Sequence, residues 1–298
     1  MASPRRLLPA LVVYLLATYH ALTLPVVPPG DRLAISANVA TDPNPTSLGI
    51  PPDFTLHTEV LDPRALLNSG VVSIIAVLTL EELCFNLRQS RHIEGEIRLP
   101  GGDIALSLVS DEQPPYRFAA WAVQRIFEEA HRLHYVSITS SMEWRGSPVG
   151  RIQIQRDASS LTESPEVAEG NTTLKADDSI ASSAIVPAGL GARHELQLLP
   201  SYTGIGMPMF DVMLTILKVM VMGVENGPEA ICQDIVMPHF ILRPERGAMG
   251  QPVLRWGQVT KMMRVLARWL VAQNRYGEVT FLIKRDGALA AIGNIRRV

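Results

Sequence analysis

Cysteine is nearly absent: the 298-residue chain has two, Cys84 and Cys232. Two thiols cannot build a disulfide miniprotein or a four-thiolate zinc site. An excess of one charge is lacking as well. Lys and Arg total 27 against 29 Asp and Glu, a net charge of −2. That balance offers no general polyanion surface, which disfavours a global nucleic-acid role. Familiar catalytic signatures are missing too. The sequence contains no H-E-x-x-H, no G-x-S-x-G, no G-x-x-x-x-G-K-[ST] and no C-x-x-C. Gly189-Leu-Gly191 and Gly204-Ile-Gly206 lack the third glycine of a nucleotide fingerprint and read as loop punctuation.

Core-building residues are plentiful. A 47% hydrophobic composition excludes wholesale disorder, and the length permits one large domain or two of ordinary size. The N-terminus carries Arg5 and Arg6, then an uncharged run over 7–29 with the apolar core Leu11-Val-Val-Tyr-Leu-Leu-Ala17. That order is the pattern of a secretory signal peptide, expected over 1–23. Uncut, residues 7–27 would be about long enough to span a bilayer, which needs roughly 20 residues. Membrane anchorage is therefore the alternative to a secreted, extracellular location. Asn171-Thr172-Thr173 is an N-glycosylation acceptor in the most polar stretch, and Asn44 is blocked by Pro45. On a secretory route Cys84 and Cys232 would meet an oxidising environment in which they can pair.

The chain repeats itself. Val77-Leu-Thr-Leu80 is echoed by Met213-Leu-Thr-Ile216, and Glu96-Ile-Arg-Leu-Pro100 by Asp234-Ile-Val-Met-Pro238. Gln113-Pro114 with Arg117-Phe118 is echoed by Gln251-Pro252 with Arg255-Trp256. Tyr135 with Thr139 returns as Tyr276 with Thr280, and Gly150-Arg-Ile152 as Gly293-Asn-Ile295. Five echoes in one order indicate an internal duplication. The expected organisation is a proline-rich segment over 24–52, a first unit over 53–156, a polar disordered linker over 157–193 and a second unit over 194–298.

Both units read strand, apolar helix, hairpin strands, amphipathic helix, closing hairpin. Strands are expected over 54–60 and 194–199, and apolar helices over 72–89 and 209–224. The turns are Pro100-Gly101-Gly102, Trp144-Arg145-Gly146 and Arg285-Asp286-Gly287. Trp256, Val259, Met263, Leu266 and Leu270 are spaced 3, 4, 3 and 4 apart, one face of a helix. Ala119, Val123, Ile126, Ala130 and Leu133 form the matching stripe. The expected fold is α+β: two similar lobes from a duplication, each an antiparallel sheet covered by two helices.

Chemistry-bearing residues are sparse. Glu128, His131 and His134 share a helix, but a metal needs three or four ligands and the second unit has none there. Asp211 and Lys218 interrupt the apolar run over 207–224, which makes bilayer insertion costly and leaves a buried helix with Asp211 as its N-cap. The five methionines of that run make either an adaptable groove or core filler. Glu81-Glu82 and Glu128-Glu129 are adjacent on helices, so at most one of each pair faces a cleft. Glu96 and Asp234 occupy matching places at the start of a strand, which reads as a repeated strand-edge residue; packing of the units about a pseudo-two-fold axis would instead bring them together. Lys261, Arg264, Arg268 and Arg275 fall on one helix face, which reads first as the ordinary solvated side opposite the core stripe and alternatively as a surface for an anionic membrane, a glycan or an acidic protein.

The closing pattern is Trp256, Val259, Leu266 and Leu270, then Tyr276-Gly-Glu-Val-Thr-Phe281, then Gly293-Asn-Ile295. It resembles the C-terminal part of uncharacterised predicted secreted proteins of filamentous fungi. The resemblance covers about the last hundred residues, implies secretion and brings no catalytic residues. The sequence thus leads to a secreted, non-catalytic binding or interaction protein without cofactor or metal. The alternatives are a secreted enzyme with its site in the cleft between lobes, marked by Glu96, Asp234, His131 or His239, and a membrane-anchored form of the same lobes.

Overall fold

The computed structural model describes residues 50–99, 103–110, 112–156, 184–186, 196–245 and 253–297. The signal segment, the Pro100-Gly101-Gly102 turn and the linker, Asn171 included, lie outside the described residues, except that 184–186 form a strand where a disordered linker is expected. The first unit runs β1 (Phe54–Leu66), α1 (Ser69–Phe85), β2 (Ile93–Arg98), β3 (Ile104–Ser110), α2 (Pro115–Arg132), β4 (Val136–Trp144) and β5 (Ser147–Arg156). Next comes β6 (Ala184–Val186). The second unit runs β7 (Leu196–Gly206), α3 (Met209–Asn226), β8 (Ile235–Met237), β9 (Phe240–Pro244), α4 (Trp256–Gln273), β10 (Gly277–Arg285) and β11 (Ala288–Ile295). The strand orders are β1-β4-β5-β3-β2 and β6-β7-β10-β11-β9-β8, all antiparallel. The fold is therefore α+β, with two sheets of one topology and two helices from each unit.

Local signals account for the helix ends. The Asn68 side chain accepts the Val71 N–H at 3.1 Å and caps α1. Pro115 opens α2, where a missing N–H costs nothing. Pro208, not Asp211, is the N-cap of α3; Asp211 sits in the first turn, where its charge complements the unpaired N–H groups. Asn274 closes α4 in the left-handed region, φ 45°. The two amphipathic stripes are buried as their spacing predicts, except for half-buried Leu133. No helix among the described residues is long and apolar enough to cross a membrane.

The duplication is visible in the registers. Ile138 pairs with Ile154 as Val279 pairs with Ile295, each displaced by 141. Both hairpins break register at the same place, after Met142 and after Ile283. Both turn on two residues of positive φ, Arg145-Gly146 and Asp286-Gly287, the pair that a two-residue hairpin of this twist requires. The Leu67 N–H donates to the Tyr135 carbonyl at 2.7 Å, and the Met207 N–H to the Tyr276 carbonyl at 3.3 Å.

Several residue matches shift once the registers are known. Ile97 opposite Leu106 corresponds to Met237 opposite Phe240, so Asp234 matches Glu94 rather than Glu96. Gly150 matches Ala291, and Gly293 matches Ile152. The Val77 motif lies one helical turn from its true counterpart, because Leu67 matches Met207. A slip of two in a strand or four in a helix keeps the same face, which is why the false matches look convincing.

The helices of both units pack on one another, and this shared packing is the helix layer that joins the two sheets. α1 and α3 each pack on all three other helices. They run parallel: Ser69 Oγ meets Met209 Sδ at 3.8 Å near one end, and Cys84 Sγ meets the Gly223 carbonyl at 3.6 Å near the other. One apolar cluster extends from Phe54 to Ile295, so the halves share a core instead of owning one each. All described residues belong to one compact unit. Gly223 permits the close approach, since a Cβ there would overlap Thr260 Oγ1. Gly223→Val is expected to lower unfolding stability by about 1–3 kcal/mol through overpacking. Gly95→Val, where a Cβ meets nothing, is expected to change it by less than about 0.5 kcal/mol. Urea unfolding of both variants checks this; equal midpoints would contradict the close-packed seam.

Candidate functional site

Sequence spacing sets Arg275 just beyond α4 and Tyr202 midway along β7, and the β7–β10 pairing brings them together. The Tyr202 hydroxyl donates to the Arg275 carbonyl at 2.5 Å. The Arg275 guanidinium lies over the Tyr202 ring, 4.2 Å from its centre. Trp269 stacks on Tyr202 with ring centroids 4.6 Å apart. Beside it is an open hollow of about 50 Å³, lined by Tyr202, Arg275, Tyr276 and Ile205 together with Gly204, Gly206 and Gly277. Gly277 is required there, because a Cβ would run into the Ile205 carbonyl. Gly204 has φ +99°, a conformation that side chains disfavour.

The electrostatics follow from burial. Partial burial pushes the Tyr202 phenol up to about 12; Arg275 opposes the rise and Tyr276 adds to it. Burial also raises Tyr276 and Tyr135, and Tyr276 raises Tyr135 further. The nearby Glu278 carboxylate accepts from the Thr203 hydroxyl at 3.2 Å and the Arg297 N–H at 2.9 Å. What remains open to a partner is the Arg275 cation, the aromatic rings and the exposed aliphatic side chain of Ile205.

No family model, no curated protein and no solved structure matches the chain. The reading of the site rests on its own geometry.

The basic face of α4 is divided by the fold. Arg264 pairs with Glu81 of α1 at 2.7 Å, a half-buried bridge between the units. Lys261 lies over the Phe85 ring at 5.0 Å. Arg268 and Arg275 remain exposed. Spacing alone places four cations on one face and cannot show that two of them serve the inter-helix seam.

Other sequence candidates have structural partners. His131 stacks on Phe210 with centroids 3.9 Å apart, and Glu128 holds Arg125 at 3.0 Å. Glu96, on β2, accepts from Arg98 and from Ser107. His239, in the β8–β9 turn, donates from Nδ1 to the Arg296 carbonyl at 3.2 Å. Asp234 precedes β8 in the other sheet. Among the described residues, no three His, Cys, Asp or Glu side chains gather as a metal group. Lys218 is exposed, while Met213 and Met220 are core filler.

Cys84 and Cys232 are both free and buried. Cys84 contacts the Gly223 carbonyl and Thr260, and the Cys232 thiol donates to the Gln233 carbonyl at 3.3 Å. No bridge joins them. Burial pushes both thiols above their ordinary value, Cys232 to about 12 with help from Asp234.

No sequence motif singles out Tyr202 or Trp269, which lie 67 residues apart in the chain. Because its phenol is raised from 10 in the folded state, Tyr202 favours the native form fully below pH 10. That contribution is lost as pH rises from 10 through about 12. Tyr202→Phe is expected to flatten the fall in stability across that window. Urea midpoints from pH 9 to 12 check it, and identical pH profiles would contradict the assignment.

Proposed function

We propose that the chain is a secreted, non-catalytic interaction protein that engages an anionic partner at the Arg275–Tyr202 surface. The observation that carries the reading is the Arg275 guanidinium, exposed yet held over the ring of Tyr202, which itself stacks on Trp269. A pre-positioned guanidinium loses less freedom on binding than a loose one and suits planar acidic groups. Arg268, near the end of α4, is a second exposed cation in this part of the chain.

Size decides between a small molecule and a larger partner. Enclosing sites occupy about 300–1,000 Å³. The hollow, at about 50 Å³, admits one planar group of something larger. The space between the sheets holds four packed helices rather than a cleft, which favours surface recognition over an enclosed reaction. The partner chemistry that fits is an acidic glycan, and the charge-then-apolar N-terminus and the Asn171 acceptor support an extracellular meeting place.

Expression in a eukaryotic secretory host is expected to release a glycosylated product beginning between about residues 22 and 31. That product should be retained on immobilised heparin, and Arg275→Ala should elute at lower salt. Co-elution of wild type and variant would contradict the anionic-partner reading. An uncut cytosolic chain would contradict secretion.

A further inference from the structure

Four strands border the two sheets: β1 and β2 in the first, β6 and β8 in the second. An open edge invites pairing with another chain, and proteins guard edges by shortness, charge, proline or bulges. β6 and β8 are three residues long. β2 reads Ile-Glu-Gly-Glu-Ile-Arg and is guarded by charge. β1 is thirteen residues long. Its second half is guarded by register breaks after Val60 and Asp62 and by Asp62, Pro63 and Arg64. Its first half runs in unbroken register along β4 from Phe54 to Val60 and contains no proline or lysine.

The duplicate strand shows what this edge accepts. Phe54 opposite Trp144 corresponds to Leu196 opposite Arg285. In the second unit, Leu196, Gln197 and Leu198 are covered by antiparallel β6. In the first, the matching Phe54, Thr55 and Leu56 carry no such strand among the described residues. Beyond them Val60 and Leu61 are each 44% exposed.

We propose that β1 pairs antiparallel with β1 of a second copy, centred on Thr58, and that the two five-stranded sheets become one sheet of ten. The strand's own sequence selects this occupant. With Thr58 on the two-fold axis, His57 stands opposite the partner's Glu59, and Glu59 opposite the partner's His57. On the other face Leu56 meets the partner's Val60. Thr55 meets the partner's Leu61, which covers the exposed aliphatic groups. Neighbouring registers are worse: centring one residue earlier sets His57 against itself, and one later sets Glu59 against itself. Two carboxylates directly opposite repel, whereas a carboxylate opposite an imidazole accepts its N–H, and only the Thr58-centred register gives both Glu59 side chains that partner. His57 also lies 3.0 Å from Glu143 on β4, so the imidazole bridges a carboxylate of its own sheet and one of the partner's.

Sedimentation equilibrium on the purified full chain tests the pairing. The expected result is a two-chain mass at micromolar concentration. Glu59→Lys and His57→Glu should each raise the dissociation constant about tenfold. The swapped pair His57→Glu with Glu59→Lys should restore it, a rescue that general damage to the fold would not produce. Hydrogen exchange should protect the open-edge amides of 54–60 only in the dimer. A monomer at every concentration, or a dimer indifferent to both single changes, overturns the proposal. A monomer with those amides protected gives the edge to another occupant and overturns it as well.

Discussion

The close, parallel contact of α1 with α3 is the constraint on which the architecture depends. α1 has no exposed residue from Gly70 to Phe85. A helix without a polar face must be surrounded, and one sheet cannot surround it. The second unit supplies the missing cover through α3 and α4. Parallel neighbours place two positive helix ends side by side, which is unfavourable alone. α2 and α4 offset this by running antiparallel to the central pair. His131, in the last turn of α2, reaches Phe210 at the start of α3, and Val271 near the end of α4 reaches Gly70 at the start of α1. Polar links then fix the seams: Arg264 to Glu81, and the Trp121 Nε1–H donating to Glu225 at 2.8 Å. Leaving either partner alone in the seam would cost more than the link contributes.

A duplicated scaffold makes its divergences informative. Tyr202 has Val60 as its counterpart, Trp269 has Glu128, and Arg275 has His134, by the shared registers. The aromatic-cationic hollow therefore belongs to the second unit alone. β1 also carries two more residues than β7 between equivalent pairs, Val60 to Leu66 against Tyr202 to Gly206. Those residues form the bulges that guard the far half of the edge. Each unit thus keeps the shared helix layer and differs at its rim, where partners would meet it.

Much of the fold was legible in the sequence because local rules and tertiary demands agree. The α2 and α4 stripes needed only a sheet to cover them, and the Arg145-Gly146 and Asp286-Gly287 turns carry their own backbone requirement. The repeat was legible as a pattern but not in its residue matches, since the shortened β8–β9 link and the β1 bulges move the displacement back and forth. β6 lay hidden in a segment whose composition reads as linker; three residues suffice because β7 supplies a ready edge. The site was the least legible part. Tyr202 and Trp269 are distant in sequence, and only the crossing of β7 by the end of α4 stacks them. For the same reason Lys261, Arg264, Arg268 and Arg275 read as equivalent in the sequence, although Glu81 pairs with Arg264 and Arg275 lies beyond the end of α4.

The central claim is that both units unfold as one body because they share the helix layer. Native-state hydrogen exchange, followed by mass spectrometry in rising urea, reads this directly. The account predicts that β4–β5 and β10–β11 amides lose protection at the same urea concentration and with the same dependence on it. Loss of protection in one unit while the other stays protected would show two independent cores and contradict it.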